Sequence, residues 1–205
     1  MANNLRLNKN KSMEMIVFTS SRARNKAPPV KLLPGIERVE SLKILGVQID
    51  HNLSVSMHIG NACQTAAQCL YAIKLVKAHG LDQISVYDVC TATVVTHLTY
   101  CINAWWGFAN VADKQKLQAV LNRAIKWGFY APSAPSIEQI ADKRGHRLFN
   151  SILSNPAHVL HHLLPPVKVQ AYDLRPRAHN RELPPKTSPL LEKNFFYQMM
   201  YAPLQ

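Results

Sequence analysis

Apolar positions along this chain repeat first every two residues and later every three or four, and the change falls near Ser54. Met13, Met15, Ile16, Val17 and Phe18 form one β-like run, and Leu42, Ile44, Leu45, Val47 and Ile49 form a second, which stops at the turn-prone His51-Asn52. The second run, over residues 41–50, reads as one half-buried strand. Gly46 lies inside it, where a glycine weakens a strand unless a bulge or a closely approaching backbone needs the missing side chain. The segment between the two runs is rich in proline, lysine and arginine up to Gly35, so a basic loop joins two strands of a small, largely antiparallel sheet.

From Ser54 the spacing predicts helices. Ile59, Cys63, Ala66, Leu70, Ile73 and Val76 share one face, and Gly80 ends that helix. Asp82 is placed to cap a second, with Val86, Val89, Cys90, Thr93, His97 and Cys101 inward, although its valines and threonines also suit a strand. Asp113 is placed to cap a third, with Leu117, Val120, Leu121, Ala124 and Ile125 inward and Gly128 as its stop. Three helices joined by short connections predict an antiparallel bundle. Ser136 and Gln139 have capping-box spacing for a fourth helix reaching Ser154, with Ile137, Ile140, Leu148 and Ile152 inward and Gly145 as a weak point. Pro156 opens a short helix through Leu164. Beyond Pro165 the chain is Pro-rich and basic and reads as extended or disordered, until a docking segment at Leu190–Tyr201. The fold class expected is therefore mainly α, with a small β element at residues 1–53, a helical bundle at 54–130, further helices at 131–164 and an irregular tail at 165–205.

Charge changes this picture more than size does. The 205 residues carry a net charge of +12, with nine basic and four acidic side chains in residues 1–50, two of each in 51–104, and thirteen against six in 105–205. A neutral middle with basic flanks points to a polyanion, nucleic acid before an anionic membrane surface. Residues 89–112 are free of formal charge but too polar, through their threonines and asparagines, to span a bilayer, and read as a buried helix. Cys63, Cys69, Cys90 and Cys101 lack metal-ligand spacing and read as free thiols of a reducing compartment, hence an intracellular protein, cytoplasmic or nuclear. No signal-peptide pattern opens the chain.

The stretches LRLNKNKSMEMIVF and SLKILGVQIDHNLS, in that order with a basic loop between them, resemble the C-terminal side of a non-LTR (LINE-class) retrotransposon reverse transcriptase. Leu7, Asn8, Lys11 and Ser12 match a Leu-Asn-x-x-Lys-Thr pattern that closes the palm of those polymerases, with Ser12 replacing the usual threonine. Leu45 and Gly46 match the Leu-Gly of the strand that supports the primer terminus. YCINAWWGF, KLQAVLNRAIK and ADKRGHRLFNSILSNP are similar to the segments that follow, and the LPPVKVQAYDLRPRAHNRELP tail looks like some element C-termini.

The resemblance implies a palm remnant, a primer-grip strand and a thumb, with an RNA–DNA primer–template as partner and the rest of the palm missing on the N-terminal side. Polymerases of this family hold two metals through palm aspartates, and the chemistry needs those carboxylates. This chain has no adjacent acidic pair, so magnesium and RNA-directed DNA polymerase activity are expected only of an intact polymerase. Glu138 and Asp142 are four apart on one helical face, and read as a solvated pair. The one catalytic candidate is Lys11, which the resemblance sets near the incoming nucleotide, although without a palm a solvated turn lysine is the plainer reading. Lys9, Lys11, Lys43 and Gly46 are the nucleic-acid candidates of the β region, and Gly46 would admit a primer backbone.

Lys114, Lys116, Arg123 and Lys126, continued by Lys143, Arg144 and Arg147, offer a phosphate track along two helices. Trp105, Trp106 and Phe108 offer base stacking but sit in neutral surroundings that suit a core. His158, His161 and His162 could share a helical face, yet no cysteine or acidic ligand completes a metal set. The competing function is a self-standing nucleic-acid-binding or helical scaffold protein derived from a transposable element.

Overall fold

The computed structural model describes residues 8–18, 25–28, 30–168 and 179–202. Leu7 of the first motif, and the tail over 169–178, lie outside them. The fold is mainly α with two small two-stranded sheets.

A 3₁₀ turn at Lys9–Lys11 leads into β1 (Met13–Glu14), which pairs with β2 (Glu37–Arg38) in the register Met13↔Glu37. The pair is parallel, not antiparallel as expected, because the connection is far longer than a hairpin turn and lets the second strand enter in the same direction. Arg38 clamps this region. Its guanidinium meets Glu14 Oε1 at 2.6 Å and donates to the carbonyls of Val30 and Lys31, so one cation gathers the strand pair and the basic loop.

The apolar run over 41–50 is not one strand but a hairpin. β3 (Ser41–Ile44) pairs antiparallel with β4 (Val47–Asp50), and Leu45-Gly46 form the two-residue turn at φ +47° and +90°. Two consecutive positive φ values match the twist of the flanking strands, and Gly46 supplies one without a steric cost. Leu45 adopts the other with its side chain 87% exposed. Asp50 then turns the chain toward the helices: its carboxylate accepts the amides of Asn52 and Ser54, at 2.8 and 2.9 Å.

Helix α1 (Ser56–Ala78) is the central element, alanine-rich, without proline, and ended by Gly80 at φ +97°. It buries Ile59, Ala66, Leu70 and Ile73, while Val76, expected on that face, is 49% exposed near the helix end. Each such Leu or Ile contributes roughly 1.5–3 kcal/mol. Around α1 pack β4, α2 (Gln83–Cys90), a π-helical turn (Thr91–Val95), α3 (Thr96–Leu98) and α5 (Val111–Lys126).

The π turn corrects the expected inner face. Asp82 caps α2 as predicted, its carboxylate accepting the amides of Ile84 and Ser85, and Val86 and Cys90 are buried. The wider turn then advances the phase, so that Val94, Val95 and Leu98 are buried while His97 and Cys101 are exposed and Thr93 is half-buried. The uncharged stretch over 89–112 is therefore not one buried helix. It breaks at Thr99–Cys101, where Cys101 is left-handed at φ +49°, before α4 (Ile102–Trp105) and a 3₁₀ turn (Trp106–Phe108). Side chains bond the carbonyls at the break: Arg144 Nη1 donates to the Thr99 carbonyl and hydroxyl at 2.9 Å each, and Trp105 Nε1 to the Tyr100 carbonyl at 2.7 Å.

Asn110, not Asp113, caps α5, its side-chain oxygen accepting the Asp113 amide. Asp113 instead faces inward at 2% exposure and accepts from the Ser56 hydroxyl, tying α5 to the start of α1. Helix α6 (Ile137–Ser154) carries the predicted capping box of Ser136 and Gln139. Gly145 is not a weak point in it but a contact site, since a Cβ there would sit 3.3 Å from Met199 Sδ. After α6 the expected helix from Pro156 is only turns and a 3₁₀ turn at His161–Leu163. A bridge joins Val167 to Arg181, and α7 (Pro189–Glu192) and α8 (Phe195–Tyr201) follow, with α8 lying on α6 and Met200 buried.

Candidate nucleic-acid interface

The hairpin stands over the N-terminal half of α1, and its tip is held from the far side. Tyr100, presented by the break after α3, donates its hydroxyl to the Leu45 carbonyl at 3.1 Å. Its ring lies against Gly46, where a Cβ would come within 3.0 Å of Cε1. Below the tip is a cleft of about 240 Å³ between β3, β4, α1 and α3. Lys43, Gln48 and Gly46 line it from the hairpin, His58, Asn61, Ala62 and Thr65 from α1, and His97 and Tyr100 from beyond.

Its chemistry is one-sided. The lining side chains supply an ammonium, two amides, two imidazoles and two hydroxyls, and none is an aspartate or glutamate. That is a donor-rich wall for an anionic oxygen. The volume is below that of a typical small-molecule site and suits a backbone group better than a base pair. Asn61 reaches across to Gln48 at 3.3 Å, joining the two walls. His58, at 8% exposure, stacks edge-on to Trp105 with ring centroids 5.4 Å apart, and its Nε2 is buried without a hydrogen-bond partner. Burial first, and the Lys43 ammonium second, hold this imidazole below its ordinary pKa, so its neutral form is favoured.

The predicted basic residues divide by surroundings. Lys43 lines the cleft and is exposed. Lys9 and Lys11 lie exposed on the first 3₁₀ turn, and Lys9 crosses Gly35, where a Cβ would be 3.0 Å from its Cδ. Lys114 stands 4.3 Å from the Trp106 ring centroid in a cation–π contact, and Lys116 pairs with Asp113 at 3.4 Å. Arg144 is engaged at Thr99. Arg123, Lys126, Lys143 and Arg147 project into solvent.

Of the aromatic candidates, Trp105 is 1% exposed, and Trp106 and Phe108 are half-buried against the core, as the neutral surroundings suggest. The exposed tryptophan is Trp127, which no motif in the sequence marks. Nor does the sequence single out His58, Asn61, Thr65 or Tyr100, which the fold brings to the cleft. The three histidines do not share a helical face: the His158 ring accepts the Leu160 amide, and His161 faces Arg181 at 3.4 Å. Among the described residues, no three His, Cys, Asp or Glu side chains gather as metal ligands, and no helix is long and apolar enough to cross a membrane. Compared with models of known protein families, with characterised proteins and with solved structures, the chain matches none.

Proposed function

We propose that the chain is the C-terminal part of a retroelement reverse transcriptase and that it holds a primer–template duplex without copying it. The observation that carries this reading is the carboxylate-free cleft beneath Leu45-Gly46, on a hairpin backed directly by helices. A nucleic-acid strand entering the cleft would find the Lys43 ammonium beside the tip, with the Gln48 and Asn61 amides and the Thr65 hydroxyl behind it. The net charge of +12 supplies the sequence-independent attraction that such binding needs.

No reaction is assigned to this chain. Polymerase chemistry of the two-metal kind requires paired carboxylates, which belong to the part of the palm that would precede residue 1. In this reading Lys11 is an exposed cation on the first 3₁₀ turn.

A fluorescence-anisotropy titration with a labelled RNA–DNA hybrid tests the reading. The expected result is saturable binding at low salt that weakens as salt is raised, and weakens further in Lys43→Glu. A chain that leaves the hybrid free at low salt does not hold a primer–template.

A further inference from the structure

We infer that the chain carries a second nucleic-acid site, a single-strand stacking shelf at Trp127, at the opposite end of α1 from the hairpin cleft. This inference rests on the nucleic-acid reading above and adds to it the form of nucleic acid and the place. Helices α1 and α5 end side by side, and between their ends lies an open depression of about 500 Å³ lined by Lys74, Lys77, Ala78, Trp127 and Phe129. Trp127 is 42% exposed, while Phe129 is 4% exposed and supports it edge-on, with ring centroids 5.8 Å apart. A large aromatic face is thus held rigidly from behind and open in front.

The surroundings commit the shelf to an anionic, flat-faced occupant. Lys77 lies 5.4 Å from the Phe129 centroid and donates to Gln83 Oε1, Lys74 is exposed on the turn before it, and no carboxylate lines the depression. Helix C-termini ordinarily repel anions. Here several of the terminal carbonyls are already taken: Gly128 accepts from Gln83, Lys77 from the Gly80 amide, and Ala124 from the Phe129 amide. An unpaired base on Trp127 with its phosphates toward Lys74 and Lys77 satisfies both features, which is how sequence-tolerant single-strand sites are built. Base pairs inside a duplex are stacked on both faces and have none to offer. His58 and Lys77 are nineteen residues apart, about 28 Å along a helix rising 1.5 Å per residue, so the shelf and the cleft are separate sites.

Intrinsic tryptophan emission and anisotropy, with oligo(dT) and with a blunt RNA–DNA hybrid as probes, test this on the full chain. Oligo(dT) is expected to quench the wild type but not Trp127→Phe, because Trp105 is buried and Trp106 is covered by Lys114. Trp127→Ala is expected to bind oligo(dT) roughly tenfold more weakly, within the range of one base–aromatic stack, with its affinity for the blunt hybrid unchanged. Trp127→Phe keeps an aromatic face and should retain most of the affinity. Binding of oligo(dT) with no quenching, or with equal affinity in Trp127→Ala, overturns the shelf and leaves the cleft standing. Quenching by anionic vesicles but not by oligo(dT) would assign the shelf to a membrane surface instead. Failure to bind either probe would overturn both readings.

Discussion

Tyr100 Oη donates to the carbonyl of Leu45 across 55 residues of sequence, at 3.1 Å, and in the same contact its ring occupies the space a side chain at residue 46 would need. The hairpin tip is thereby fixed to the break that follows α3. Gly46→Ala meets both a strained φ of +90° and the Tyr100 ring, and should cost about 1–2 kcal/mol of hairpin stability. Hydrogen exchange of the amides in residues 41–50 measures it. Exchange as slow as in the wild type would mean that Tyr100 gives way freely and does not hold the tip.

The π turn makes a prediction opposite to regular helical spacing. Leu98 is fully buried and His97 is exposed. Leu98→Ala should therefore cost about 2–5 kcal/mol. His97→Ala should stay within about 0.5 kcal/mol, as surface changes do. Urea denaturation of the two variants decides between the phases, and a reversed order would restore the regular helix.

Asp113 is buried with Ser56 and Lys116 as its partners. Asp113→Ala removes the acceptor of the Ser56 hydroxyl and opens the α1–α5 junction, and should cost about 1–3 kcal/mol. Asp113→Asn keeps an acceptor and should recover part of that loss. Thermal unfolding of both variants provides the check, and equal melting points for Asp113→Ala and wild type would remove the junction from the account.

His58 links stability to pH. Its folded pKa lies below the ordinary 6.5 of the unfolded chain, so between the two values the unfolded state binds more protons. Stability should hold above pH 6.5 and fall as pH drops from there toward the lower folded value. His58→Asn should show a shallower fall over that window, read as melting temperature against pH. An unchanged slope would mean that another group carries it.

Where signals were local, the sequence was legible. The Ser136–Gln139 box, the Asp82 cap and the Gly80 and Gly128 stops act within one turn of the residues that form them. The misreadings share a different cause. Asn110 and Asp113 are both able to cap, and only burial against Ser56 separates them. Leu45-Gly46 is a hairpin turn without the Asn-Gly signature, so an apolar run read as one strand conceals two. The π turn changes the phase without any proline or glycine to mark it. Of the cleft, Lys43 and Gly46 could be named from the motif, but Tyr100, His58, Asn61 and Thr65 enter only because the break at Cys101 and the face of α1 bring them under the hairpin. Trp127 was hidden for a related reason, since a tryptophan at a helix end is ordinarily a packing residue and only the tertiary arrangement leaves its face open.

The salt dependence of hybrid binding in Lys43→Ala tests the central claim most directly. If the cleft under Leu45-Gly46 receives a phosphate, the slope of log affinity against log salt should become shallower by about one relative to wild type, with lower affinity at low salt. The same substitution at Lys193, exposed beyond α7 and outside the cleft and the phosphate track, serves as the comparison. An affinity and a slope both unchanged in Lys43→Ala would contradict the assignment of the hairpin cleft as the place where nucleic acid is held.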